Sequence, residues 1–176
     1  MRRVFFHEDD YCQIEVLPVV NLRFCLEQAG AIEKFSAEHW AGAGWDEMYV
    51  RHESPIALEN LEITLADIRA ALSPALAEYD QVLTGYGQSY RQKCDNVYAF
   101  GNDDTAKIFV SVGSRKLIDA IWCSHPLVEV LKLPQAERLL LADWYCGFIC
   151  PLRDRSRLLG YLEERGLRLK RDDAPD

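Results

Sequence analysis

An imidazole and three carboxylates follow one another near the start of the chain, where residues 7–10 read His-Glu-Asp-Asp. Such a segment can bind a hard metal ion, act as an acid/base pair, form the tip of a hairpin, or offer negative charge to a basic partner. A metal site of this type draws its ligands from several elements, and the spacing of the other acids gives no reason for them to converge here. We interpret residues 7–10 as a solvated charged turn, with metal binding and acid/base chemistry left as alternatives.

Other chemical motifs are sparse. Cys146 and Cys150 form the only close cysteine pair, and no second pair completes a zinc site. Ser89 and Ser114 lie near glycines, but neither stands in the Gly-x-Ser-x-Gly pattern of a nucleophile elbow, and the glycine patterns of phosphate- and dinucleotide-binding loops are absent. We therefore predict no catalytic residue, no metal ion and no cofactor. A small enzyme whose histidines and carboxylates assemble only in space stays as the alternative.

Two tryptophans bracket a loop of glycine and alanine. The segment Trp40-Ala-Gly-Ala-Gly-Trp45 leads directly into Asp46 and Glu47. An aromatic side chain beside carboxylates on a loop is typical of an interface hot spot, whereas packing beneath the loop is the commoner role of such tryptophans. We predict that Trp40 and Trp45 pack beneath the loop and keep the recognition surface as the alternative.

The composition indicates a globular protein. The 176 residues, 49% of them hydrophobic, are enough for one domain with a real core. From its first residues we expect no secretory signal, and we find no run of about 20 apolar residues that could span a bilayer. We expect a cytoplasmic protein with one domain over residues 1–176, of which 167–176 form a charged, frayed tail. The six cysteines are scattered through apolar segments, so we predict reduced, buried thiols.

The net charge of −8 is concentrated in the first part of the chain. Residues 1–100 contain 8 Lys and Arg against 16 Asp and Glu, whereas residues 101–176 contain 12 of each kind. An acidic protein repels the phosphate backbone, so nucleic acid is disfavoured as a direct partner. A basic protein would be attracted instead.

Apolar periodicity predicts strands interleaved with helices. Residues 4–6 and 11–17 are typical of two strands, with residues 7–10 as the tip of the hairpin between them. A second hairpin is predicted from strands over residues 97–100 and 106–112. Further strands are predicted at residues 48–50, 139–144 and 148–152, with one helix over residues 135–149 as the alternative to the last two.

Helices are predicted where a capping residue precedes apolar residues at three- and four-residue steps. The predicted caps are Asn21, Thr64, Ser114, and either Asp154 or Ser156. Thr64 and Asp67 have the spacing of a capping box, and Pro74 predicts a kink or a break in that helix. Because several neighbouring strands form hairpins, we predict an α+β fold with a mixed or largely antiparallel sheet and helices packed on it.

Two stretches of the chain resemble a known group of proteins. Residues 5–18, Phe-Phe-His-Glu-Asp-Asp-Tyr-Cys-Gln-Ile-Glu-Val-Leu-Pro, together with Leu141-Ala-Asp-Trp144 and Gly147, are similar to small immunity proteins that accompany polymorphic or type VI-secreted bacterial toxins. The resemblance covers short stretches at the two ends and carries no catalytic motif. It implies a cytoplasmic, acidic, single-domain α+β protein that binds a toxin domain and blocks its active site.

On this hypothesis the acidic residues near the start of the chain form a recognition surface. The residues predicted to bind the partner are Glu8, Asp9, Asp10, Trp45, Asp46 and Glu47. A toxin that cuts nucleic acid tends to be basic, so an acidic face would speed its association. The alternatives are the dispersed-site enzyme and a structural or adaptor subunit, which predicts an exposed apolar patch and a stable oligomer.

Overall fold

Helices and strands alternate along the chain. The computed structural model describes residues 1–6, 13–42, 44, 46–85, 91–102 and 106–165. Within them, the α-helices are α1 (Leu22–Glu38), α2 (Leu65–Leu72) and α3 (Arg155–Glu164). The strands are β1 (Arg3–Phe5), β2 (Ile14–Pro18), β3 (Gln81–Thr84), β4 (Gln92–Lys93), β5 (Val97–Gly101), β6 (Lys107–Val112), β7 (Ile118–Cys123), β8 (Leu139–Asp143) and β9 (Phe148–Pro151). Short 3₁₀ turns lie at Val19–Asn21, Leu58–Leu61, Val128–Lys132 and Ala136–Arg138.

The strands form two sheets. Six strands pair in the order β5-β6-β7-β2-β8-β9, and every described pairing between them is antiparallel. The smaller sheet has the order β1-β3-β4, in which β1 runs parallel to β3. The predicted α+β class with largely antiparallel pairing is confirmed, as are the hairpins β5–β6 and β8–β9.

Both faces of the six-stranded sheet are covered, which explains why β8 is apolar along its whole length. Alternate side chains, such as Leu139 and Leu141, point to one face and join the main core under α2, α3 and two of the 3₁₀ turns. Leu140 and Ala142 point to the opposite face, where they meet Cys25 of α1. The small sheet covers the rest of that opposite face through contacts with β5 and β6.

The capping predictions have mixed outcomes. Thr64 caps α2, and its hydroxyl and the Asp67 carboxylate make the reciprocal hydrogen bonds of a capping box. Asp154 caps α3 by accepting from the backbone N–H of Arg157. Helix α2 ends at Leu72, two residues before Pro74, in agreement with the predicted break. Asn21 precedes α1 as predicted but does not cap it, because its side chain hydrogen-bonds the backbone of Ile56 instead.

Three predicted elements are wrong. Strands β1 and β2 lie in different sheets, so they form no hairpin; the predicted tip, residues 7–10, lies outside the described residues. The helix predicted after Ser114 is strand β7, whose residues follow a turn and pair with β6. Residues 48–50, predicted as a strand, have no regular secondary structure because they pack along α1 rather than beside another strand.

No helix within the described residues is both long and apolar enough to cross a bilayer. The expected tail, residues 167–176, lies outside those residues.

Candidate functional site

One accessible polar region of the described chain contains two of the predicted partner-binding residues. The structure describes Asp46 and Glu47, which follow the C-terminal end of α1. The Asp46 carboxylate lies 3.0 Å from Nδ1 of His39, and Glu47 lies 3.9 Å from the same nitrogen. The other predicted residues, Glu8, Asp9, Asp10 and Trp45, lie outside the described part of the chain.

The segment that carries Asp46 and Glu47 is fixed to α1. The backbone N–H of Asp46 donates to the carbonyl of His39 at 3.1 Å. Further along, the Tyr49 hydroxyl donates to the side-chain oxygen of Gln28 at 2.8 Å, and its ring meets the edge of Phe35. Phe35 also stacks on His39, with 4.1 Å between ring centroids. These contacts along the helix hold the segment in a defined position.

Apolar side chains on this segment point into solvent. Met48 is 87% exposed, Val50 60% and Trp40 54%. The prediction that Trp40 packs beneath the loop is therefore wrong, because the residue remains exposed. The exposed apolar and acidic side chains define what we call the loop surface: Trp40, Asp46, Glu47, Met48 and Val50. Exposure alternates along this segment, since Tyr49 packs against α1 while Met48 and Val50 face outward.

Arg51, which follows the loop surface, contacts the large sheet. Arg51 donates to the Glu15 carboxylate at 3.1 Å, and the Trp144 indole N–H donates to the same oxygen at 2.9 Å. The Arg51 guanidinium also lies over the Trp144 ring. Because Glu15 is on β2 and Trp144 follows β8, these bonds connect the loop surface rigidly to the centre of the sheet.

The second region is a cavity at the ends of three central strands. Strand β2 begins where β7 and β8 end, because both neighbours run antiparallel to it. A cavity of about 360 Å³ opens there, next to the C-terminal end of α3. We call it the strand-end cleft, and the described residues that line it are Gln13, Ile14, Ser124, His125, Pro126, Asp143, Tyr145 and Arg165.

A buried carboxylate organises this cleft. Asp143 is 2% exposed, and its Oδ1 accepts from the backbone N–H of Tyr145 at 3.0 Å. Its Oδ2 accepts a short hydrogen bond from the Tyr161 hydroxyl and a longer one, 3.4 Å, from Arg165. Burial, together with the hydrogen bond to Asp143, raises the pKa of Tyr161 far above its ordinary value. The phenol therefore stays protonated and keeps donating to the carboxylate at neutral pH.

The cysteines and acids show no sign of metal chemistry in the described residues. No three His, Cys, Asp or Glu side chains converge there in a way that could hold a metal ion. Cys25, Cys123 and Cys150 are buried free thiols, as predicted, whereas Cys94 is partly exposed and Cys146 is exposed in the turn after β8. Burial raises the pKa of Cys25 to about 11 and that of Cys123 to about 12, so both are inert thiols at neutral pH.

The sequence did not predict the strand-end cleft. His125 and Asp143 are 18 residues apart and Arg165 is a further 22 away, so no local spacing connects them. In the sequence, the one indication of a polar site here is Asp143, which ends an otherwise apolar strand. Comparison with known proteins adds no analogy, since no family model, curated protein or solved structure matches the chain.

Proposed function

We propose that this protein is an immunity-type inhibitor that binds a cognate, basic toxin domain through the loop surface and blocks its active site. Such a toxin would include a nuclease, whose substrate-binding cleft must be positively charged. The exposure of Trp40, Met48 and Val50 beside two carboxylates carries the proposal. Apolar anchors within a charged surround are the composition of a protein-binding hot spot rather than of a solvated loop.

The rigidity of the loop surface supports a role in recognition. Its backbone and Tyr49 are hydrogen-bonded to α1, and Arg51 is bonded to β2 through Glu15. A surface that is already ordered loses less conformational entropy when it binds, so more of the contact energy appears as affinity.

The local charge supports a basic partner. Residues 22–53, which comprise α1 and the segment packed along it, contain six Asp and Glu against three Lys and Arg. Glu38 pairs with Lys34 at 3.7 Å, whereas Asp46 and Glu47 meet only His39 among the described residues. These two carboxylates are therefore available to a partner's lysines or arginines, which would raise the rate of association at low salt.

A neutralisation experiment tests the proposal. The tagged protein is recovered from its native host, the complex is washed at moderate salt, and the partner is identified by mass spectrometry. The gene for that partner is then expressed alone and together with this protein in a naive bacterial strain. We expect the partner alone to arrest growth and the co-expressed pair to grow normally. A partner that is harmless when expressed alone would exclude the immunity role.

Charge-reversal variants distinguish the two parts of the predicted recognition surface. One variant carries Asp46→Lys with Glu47→Lys, and the other carries Lys at Glu8, Asp9 and Asp10. We expect both variants to fold and the first to associate with the toxin more slowly at low salt. If only the second variant slows association, the loop surface is not the binding site and the acidic segment near the start of the chain is.

The exposed apolar patch also favours an adaptor or structural subunit as a second candidate, because such subunits associate through similar patches. Size-exclusion chromatography with light scattering at micromolar concentration separates the two roles. The immunity role predicts that Met48→Asp leaves the oligomeric state unchanged, whereas an oligomer that dissociates in this variant would favour the adaptor role.

A further inference from the structure

The strand-end cleft has the position and size of a small-molecule site. Its volume of about 360 Å³ falls within the range of about 300 to 1,000 Å³ typical of ligand pockets. It is built at the ends of β2, β7 and β8, the central strands of the large sheet, and at the end of α3. None of the five residues of the loop surface lines the cleft.

Arg165 supplies the accessible hydrogen-bond donors of the cleft. A guanidinium has five N–H groups in a planar fork. The Arg165 guanidinium donates one bond of 3.4 Å to Asp143, also lies beside the Cys146 side chain, and contacts the faces of Tyr145 and Tyr161. Its side chain is 37% exposed, so the remaining N–H groups can reach a ligand.

Asp143 acts as a positioning residue for Arg165. Its side chain is 3% exposed, and both of its oxygens already accept hydrogen bonds from Tyr145, Tyr161 or Arg165. A ligand that enters the cleft therefore meets the positive member of the pair rather than the negative one. The described lining residues contain no other Lys, Arg, Asp or Glu, so a hydrogen-bond acceptor with negative charge fits best.

Part of the cleft lining is apolar or aromatic. Ile14 and Pro126 are buried beneath it. The Tyr145 ring, 75% exposed, stands at its edge beside Arg165. An exposed aromatic ring next to a guanidinium can cover the flat body of a ligand while the guanidinium holds its charged group.

We propose that the strand-end cleft binds a small organic acid. The carboxylate or phosphate group of the ligand pairs with Arg165, and its apolar or aromatic body lies between Tyr145 and the wall formed by Ile14. His125, which is exposed and also lines the cleft, adds a second polar contact to the charged group or to a substituent.

Titration with four probes tests this site on the full-length protein. Benzoate and phenyl phosphate present the two anionic groups on an aromatic body, benzamide is the neutral analogue, and inorganic phosphate lacks the body. Binding is followed by calorimetry and by backbone NMR shifts at Tyr145 and Arg165. We expect at least one of the two aromatic acids to bind with a dissociation constant of about 1 mM or tighter, as suits a ligand of about ten non-hydrogen atoms. Benzamide and inorganic phosphate should each bind at least about 10-fold more weakly.

Variants at the cleft complete the test. Arg165→Gln should weaken the binding of the preferred acid at least about 10-fold, whereas Arg155→Gln, which removes the same charge at the other end of α3, should leave it unchanged. Tyr145→Ala should weaken binding several-fold without affecting folding, because the ring is exposed. The Tyr145→Ala variant therefore tests the cleft even if Arg165→Gln fails to fold. Failure of both aromatic acids to bind, equal binding of benzamide, or unchanged binding in Arg165→Gln and Tyr145→Ala would overturn the proposal.

Discussion

The hydrogen bond from Tyr161 helps to satisfy the buried carboxylate of Asp143. Asp143 is 2% exposed, and Tyr161 is one of three donors to its carboxylate. Tyr161→Phe keeps the stacked contact with Phe148 but removes the hydroxyl, which should lower the free energy of unfolding by about 1.5 to 3 kcal/mol. Urea denaturation measures the loss. The control Tyr145→Phe removes an exposed hydroxyl and should change stability by less than about 0.5 kcal/mol; equal effects of the two variants would contradict this role.

The same tyrosine should make the protein sensitive to alkaline pH. Burial and the bond to Asp143 raise the pKa of Tyr161 above its unfolded value of about 10, so its contribution is complete below pH 10 and is lost as the pH rises further. Between pH 9 and pH 11 the wild-type protein should lose about 1 kcal/mol more stability than Tyr161→Phe. Urea denaturation at the two pH values gives the difference, to which the other tyrosines and the cysteines contribute equally in both proteins. Parallel losses would show that Tyr161 ionises normally in the fold.

The thiols should differ sharply in reactivity. Cys123 is fully buried with its pKa raised to about 12, so it holds on the order of 10³-fold less thiolate at neutral pH than an ordinary thiol of pKa about 8.5. Cys146 is exposed in the turn between β8 and β9. Timed alkylation with iodoacetamide and peptide mapping should show Cys146 modified much faster than Cys123 in the native protein. Similar rates would mean that β7 is not packed as described.

At the residue scale, local patterns were predictable and exposure was not. The capping box of Thr64 and Asp67 depends on residues three apart, and it could be found in the sequence. The exposure of Met48 and Val50 depends on how their segment packs, and Tyr49 positions that segment through contacts with Gln28 and Phe35 that no spacing predicts.

At the scale of elements, the sequence left two candidates, Asp154 and Ser156, for the residue that caps α3. Asp154 accepts from the backbone N–H of Arg157, whereas Ser156 lies inside the first turn and is exposed. Asp154→Ala should therefore lower the free energy of unfolding by about 0.5 to 2 kcal/mol, and Ser156→Ala by much less. Thermal or urea denaturation of both variants separates them. A larger loss of stability in Ser156→Ala would mean that Ser156, rather than Asp154, caps the helix.

Pairing between distant strands is what the sequence could not predict. The hairpins β5–β6 and β8–β9 join neighbours in sequence and were predicted, whereas β1 pairs with β3, with Val4 opposite Val82. Strand β7 was predicted as a helix because both of its faces carry apolar side chains. Ile121 and Cys123 join the main core while Trp122 packs on the opposite face against the small sheet, which hides the two-residue period.

At the scale of the whole molecule, the loop surface lies in the part of the chain that carries the excess negative charge. The excess of negative charge lies in residues 1–100, which include α1 and the loop surface. Exposed charges act over a Debye length of about 8 Å at physiological salt, so an acidic surface would speed the association of the proposed basic partner without holding it in place. The affinity must come from apolar contacts, for which Met48, Val50 and Trp40 are the exposed candidates.

The most direct test of the loop surface is the affinity of the purified toxin for Met48→Asp compared with Val20→Asp. Both variants place one carboxylate at an exposed apolar position, but Val20 lies in the 3₁₀ turn before α1, about 12 Å along the helix axis from Gln28, the residue that Tyr49 contacts. Biolayer interferometry at physiological salt should show at least about 10-fold weaker binding for Met48→Asp, a loss of about 1.4 kcal/mol, and wild-type affinity for Val20→Asp. Wild-type affinity in Met48→Asp would contradict the assignment of the loop surface as the toxin-binding site.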